Sequence, residues 1–135
     1  MTLKFLIRAF FLKEIRPSVK DIMTMDVVSI GVTKSVFEVA ELMTSKPVSC
    51  LVIMDGKVPI GIVTERDIVR RLVAKKMQLD SKISEIMSKT LITVDFGTSL
   101  KEAARLMSSN KIRRFPVLKQ NRLVGIVSLR ILCGI

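Results

Sequence analysis

Histidine, tryptophan and tyrosine are all missing from this 135-residue chain. Without histidine there is no His-based triad, no His-ligated metal and no imidazole general base. Only 6 phenylalanines supply aromatic surface, so the core has to be aliphatic and rich in the 8 methionines. Cysteine is scarce as well. Cys50 and Cys133 form neither a C-x-x-C nor a disulfide framework, and read as small apolar core residues of a protein kept in the reducing cytoplasm. Uncharged apolar runs are too short for a membrane span. Acidic residues are outnumbered, 12 against 23 basic ones, for a formal charge of +11. That balance suits nucleic acid, an anionic membrane, a polyphosphate ligand or simply a basic surface.

The length fits one compact domain or two small fused units. Residues 1–17 form an apolar segment with scattered Lys4, Arg8 and Lys13. No small-residue cleavage site follows, which argues against a secretory signal. Hydrophobes lie nearly all round it, so it is expected to pack on the body or a partner subunit, with a peripheral membrane helix as the alternative.

The chain repeats itself. A shift of 64 residues aligns it with itself without a gap: Val19-Lys20-Asp21-Ile22-Met23 returns as Ile83-Ser84-Glu85-Ile86-Met87, and Gly61-Ile62-Val63 with Arg66 returns as Gly125-Ile126-Val127 with Arg130. Each copy carries the same local signals in the same order. A short alternating run (Val28, Ile30; Ile92, Val94) predicts a strand. Ser35-Val36-Phe37-Glu38 and Ser99-Leu100-Lys101-Glu102 predict a capping box opening a helix in both copies. The apolar positions Val36, Val39, Ala40, Met43 and Leu100, Ala103, Ala104, Met107 predict its buried face. Two strands joined by a hairpin turn follow, Asp55-Gly56-Lys57 in one copy and Gln120-Asn121 in the other. A last helix starts at Glu65 and runs to about Lys76, and its counterpart after Ser128 is shorter. The expectation is an α+β fold of two β-α-β-β-α repeats, residues 18–78 and 79–135, packed sheet to sheet about a pseudo-two-fold axis as one module.

The most informative stretch is Gly61-Ile62-Val63-Thr64-Glu65-Arg66-Asp67. An apolar strand runs into a hydroxyl, and a carboxylate follows three residues later as a helix opens. Thr64 and Asp67 read either as an N-cap and its N3 partner or as a corner that takes an anion and a diol.

The duplicated unit, its Asp-Ile-Met and Glu-Ile-Met openings and its Gly-Ile-Val-Thr-x-x-Asp end resemble a tandem CBS domain pair, or Bateman module, here standing alone. The resemblance runs from about Ser18 to the C-terminus. It implies adenosine-containing ligands held between the repeats, and association into homodimers. It also implies that Thr64 meets ribose or phosphate, that Asp67 takes the ribose diol, and that Ile62 flanks the base beside Leu91 and Ile92. The stretch Asn110–Val117 resembles the second repeat of a kinase gamma subunit, which makes Arg113 and Arg114 phosphate partners, with Arg130 and Arg66 near the same site. The second motif, Gly125-Ile126-Val127-Ser128-Leu129-Arg130-Ile131, keeps the hydroxyl and replaces the carboxylate by Ile131. Its site, with Ser128, Val28 and Cys50, is therefore expected to be weak or empty.

These features point to a regulatory module that senses AMP, ADP, ATP or S-adenosylmethionine and signals to a regulated protein, with no cofactor and no metal required. A basic nucleic-acid binder is the alternative, motivated by Arg66, Arg70, Arg71, Lys75 and Lys76 on one helix, and disfavoured by the lack of a helix-turn-helix pattern and of stacking aromatics. A purely structural dimer is the third reading. No activated nucleophile or paired carboxylate suggests an enzyme.

Overall fold

The computed structural model describes residues 2–4, 7, 17–89 and 91–132. Cys133 and most of residues 1–17 lie outside them, so the expectations for both are not addressed. The chain divides into two compact α+β units, one made of Val27–Leu91 and the other of Met1–Asp26 with Ile92–Ile135.

In the Val27–Leu91 unit, β1 (Ser29–Gly31), β2 (Cys50–Asp55) and β3 (Val58–Thr64) form a three-stranded sheet in that order. The β1–β2 pair is parallel and the β2–β3 pair antiparallel. Helix α1 (Val36–Ser45) is the crossover that a parallel pair requires. It starts where the sequence says it should: Glu38 N donates to Ser35 Oγ at 3.1 Å, and Ser35 N donates to Glu38 Oε2 at 2.8 Å. Val36, Val39 and Met43 turn inward to Leu51, Ile53 and Val63. Period-two alternation puts those three on one face of the sheet and the paired Val52 and Ile62 on the other. α2 (Glu65–Asp67) continues directly into a π-helical stretch, Ile68–Val73. Its wide turns are closed by Ala74 N to Val69 O and Met77 N to Leu72 O, both at 2.9 Å. Lys76, at φ 55, ends it in the left-handed region.

The other unit repeats the plan with β4 (Val94–Asp95), α3 (Leu100–Asn110), β5 (Arg114–Lys119), β6 (Arg122–Ser128) and α4 (Leu129–Leu132). Gln120 and Asn121 both adopt positive φ (50° and 63°), as a tight two-residue hairpin demands. Leu100, Ala103 and Met107 of α3 close on Phe115, Val117 and Val127. Two expectations fail here. Ala104 is exposed rather than buried. The capping box of α3 is only half made: Glu102 N donates to Ser99 Oγ at 3.1 Å, but the Glu102 carboxylate binds Arg105 instead of the Ser99 amide. Charge decides the difference, because the first copy carries Glu41 where the second carries Arg105.

The segments that open the two repeats sit in a way the repeat pattern does not suggest. The turn Val19–Asp21 packs in the unit of the second repeat, with Val19 N bonded to Thr98 O and Thr24 N to Ile126 O. The turn Ile83–Glu85 packs in the unit of the first, with Ile83 N bonded to Lys34 O and Ser88 N to Ile62 O. Fully buried Ile83 and Ile86 complete the core around α1 and β2, and fully buried Val19 does the same around α3 and β5. Gly61 and Gly125 are glycines for this reason. An added Cβ would lie 2.6 Å from the Met87 sulfur in one unit and 2.6 Å from the Met23 sulfur in the other.

Candidate functional site

The corner after β3 is tied by three hydrogen bonds within four residues. Asp67 N donates to Thr64 Oγ1 at 3.2 Å, while Thr64 N and Thr64 Oγ1 donate to Asp67 Oδ2 at 2.9 and 3.1 Å. This is a complete capping box. The Ser18 and Asp21 pair makes a similar one, with Ser18 N 2.9 Å from Asp21 Oδ2. The Asp67 carboxylate is more enclosed than a surface cap, with 18% of its side chain exposed, and its second oxygen is only partly occupied. Oδ1 lies 3.7 Å from Arg71 Nε, and among the described residues no hydrogen bond reaches it. One oxygen thus holds the helix start while the other remains an acceptor, which is what recognition of a hydroxyl needs.

The same unit also holds Ile62, Arg66, Leu91, Val28 and Cys50. Ile62 is buried on the sheet face opposite the α1 core. Arg66 is exposed on α2, and Leu91 is half-buried just beyond the Ile83–Ser88 segment. Cys50 stands directly opposite Thr64 across the β2–β3 ladder, and the Val28 carbonyl accepts from Val52 N at 3.1 Å.

The other unit collects Ile92, Arg113, Arg114, Ser128 and Arg130. Arg114 pairs with Ser128 in the β5–β6 ladder, and the Arg113 carbonyl accepts from Leu129 N at 2.7 Å. Arg130 follows one residue later, exposed. The backbone therefore places all three arginines at the β6–α4 junction. The sequence contains no acidic residue after Glu102, so none follows in the chain to offset them. Ser128 keeps its cap, accepting from Ile131 N at 3.3 Å, without any carboxylate.

One contact at this corner escaped sequence reading. Arg71, placed there on a basic stripe, instead donates through Nη1 to the carbonyls of Ile86 and Met87 at 3.2 and 3.3 Å while facing Asp67. Its i+4 spacing from Asp67 was the available signal. Among the described residues there is no cluster of His, Cys, Asp and Glu able to hold a metal, and no helix long and apolar enough to cross a membrane.

Residues 19–74 and 83–134 each match the CBS domain. The chain belongs to the CBS domain family. Its two matches make it a CBS pair. The CBS domain-containing protein YhcV of Bacillus subtilis is 38% identical over 112 residues, covering 83% of this chain and 80% of that protein. Among solved structures, a CBS domain pair in complex with 5′-methylthioadenosine and S-adenosyl-L-methionine has a TM-score of 0.76 at 28% identity, covering 89% of this chain and 95% of that one. The hexameric CBS-CP12 protein from bloom-forming cyanobacteria has a TM-score of 0.79 at 31% identity, covering 88% and 67% respectively. A CBS pair of this kind supports a regulatory, ligand-sensing role.

Proposed function

We propose that this CBS pair binds an adenosine nucleotide or S-adenosylmethionine and relays its presence to a regulated protein, without catalysing a reaction. Asp67 takes the ribose hydroxyls through Oδ1, Thr64 fixes the carboxylate, and Ile62, Leu91 and Ile92 offer apolar surface to the base. Arg113, Arg114 and Arg130 take the phosphates, with Arg66 adding positive charge. The motif ending in Ser128 and Ile131 binds weakly or not at all. The observation that carries the proposal is the split role of Asp67: a largely enclosed carboxylate with one oxygen committed to the helix cap and the other open to a donor. A structurally similar pair that binds two adenosine compounds supports the ligand class, and a hexameric neighbour supports self-association.

Calorimetry with AMP, ADP, ATP and S-adenosylmethionine tests this. Asp67→Asn keeps an acceptor for the cap and removes the charge, so affinity should fall about tenfold to a hundredfold. Asp21→Asn, in the matching box of the other unit, should leave affinity unchanged. Equal affinity for a ribonucleotide and its 2′-deoxy analogue would rule out the ribose role of Asp67.

A further inference from the structure

We infer that Arg71 is a positioning residue which couples the Asp67 carboxylate to the segment Ile83–Ser88. The three parts are joined by short contacts within one unit. Arg71 Nε faces Asp67 Oδ1 at 3.7 Å, and Arg71 Nη1 donates to Ile86 O at 3.2 Å and Met87 O at 3.3 Å. The segment so held is docked again on its far side, where Ser88 N donates to Ile62 O at 3.0 Å and the Met87 side chain lies over Gly61. It therefore bridges the end of the Gly61–Asp67 stretch back to its beginning. A guanidinium can serve both ends because its donors lie in one rigid plane. Turning it toward the carboxylate alters its aim at the two carbonyls.

Arg71 has no counterpart in the second repeat. The shift of 64 residues places Ile131 against Asp67 and Ile135 against Arg71, so carboxylate and guanidinium are lost together. A cap needs neither, as Ser128 demonstrates. The pair belongs to the one repeat whose exit motif keeps a hydroxyl acceptor. Whatever occupies Asp67 Oδ1 competes with or reinforces the Arg71 contact, and so shifts the docking of Ile83–Ser88, which leads in sequence to Leu91 and the second sheet. Coupling of this kind needs only that the two states of the carboxylate differ in their contact with Arg71.

The ligand half of this inference rests on the proposed function, whereas the Asp67–Arg71 coupling is testable without any ligand. Amide hydrogen exchange of Met87 and Ser88 would be compared in the full chain and in Asp67→Asn, Arg71→Met, Arg71→Lys and the double variant Asp67→Asn/Arg71→Met. Arg71→Met should speed exchange at these amides about tenfold, and Asp67→Asn about twofold. The double variant should match Arg71→Met alone, and lysine should restore part of the protection. Exchange at Val39, in α1, should not change. Additive effects of the two substitutions, or no effect of Asp67→Asn on Met87 and Ser88, would overturn the coupling. A second measurement adds AMP, ATP or S-adenosylmethionine. Altered protection at Ser88 in the native chain and not in Arg71→Met is the expected result. Binding that leaves Ser88 unmoved overturns the relay, whereas the absence of binding overturns only the proposed function and leaves the ligand-free coupling standing.

Discussion

Gly61 and Gly125 carry much of the fold's specificity for side chains so small. Each lies under a methionine from a segment distant in sequence, and an added Cβ would also meet a backbone carbonyl oxygen at 3.1 Å (Ser88) or 3.0 Å (Thr24). A methionine can swing aside, but the Thr24 carbonyl is held by Ile126 N at 2.9 Å, and Ser88 is tied to the sheet by its own N–H on Ile62 O at 3.0 Å. Gly61→Ala and Gly125→Ala should therefore each destabilise by about 1–3 kcal/mol in urea unfolding. Trimming the methionine as well should recover only part of the loss. Thr64→Ala removes the acceptor for Asp67 N and one donor to Asp67 Oδ2. It should cost about 1 kcal/mol, and more than Ser128→Ala, whose cap has no carboxylate to strand. The sequence left cap and ligand contact both open at Thr64 and Asp67, and the structure shows the cap on Oδ2 with Oδ1 facing Arg71. Only coordinates separate Oδ2 from Oδ1.

At the scale of elements, periodicity and capping signals were nearly sufficient. The spacing of Val36, Val39 and Met43 located α1, and Gly56 and Gln120-Asn121 located the hairpins. What escaped were details set by a single competing charge or by tertiary packing. Arg105 diverted Glu102 from its box, and the stretch after Asp67 widened into π-helix turns that no propensity foretells. The intact box at Ser35 holds the Glu38 carboxyl below its usual range, chiefly through the backbone N–H of Ser35. A lowered carboxyl pKa favours the fold at and above the ordinary carboxylate range, and that benefit is lost as pH falls below that range through the lowered value. Protection of the first-turn amides of α1 should accordingly drop on acidification below the ordinary carboxylate range, and Glu38→Gln should flatten the dependence. In α3 the Glu102 carboxyl is lowered chiefly by its hydrogen bond to Arg105 instead, so Arg105→Ala should free it for the Ser99 amide and bring the acid sensitivity there to resemble that of α1.

At the scale of the molecule, the duplication was legible from the gapless register, and the family from the order of motifs. The cut between compact units was not, because sequence similarity records where a repeat begins and not where its first residues pack. Ile83, Ile86 and Met87 open the second repeat yet fill the core of the first. A fragment of Val27–Leu91 should therefore give a cooperative thermal transition by circular dichroism. A fragment of residues 18–78, cut at the repeat, should not, since it lacks those three side chains and carries Val19 without its pocket mates Phe115 and Val127. A transition of equal sharpness in both fragments would contradict the assignment of the cores.

That exchange also sets a timetable. During synthesis, the unit built on Val27–Leu91 is complete once Leu91 has left the ribosome, with all its partners close in sequence. The turn at Val19–Asp21 emerges earlier but must wait for Phe96 and Thr98, and Thr24 behind it for Ile126 of β6, so its apolar side chains wait through the making of the other unit. Closing so long a loop is slow. The unit of the second repeat then forms after that of the first, and the interval before it closes is when the nascent chain is most open to capture by a chaperone or by another copy of itself.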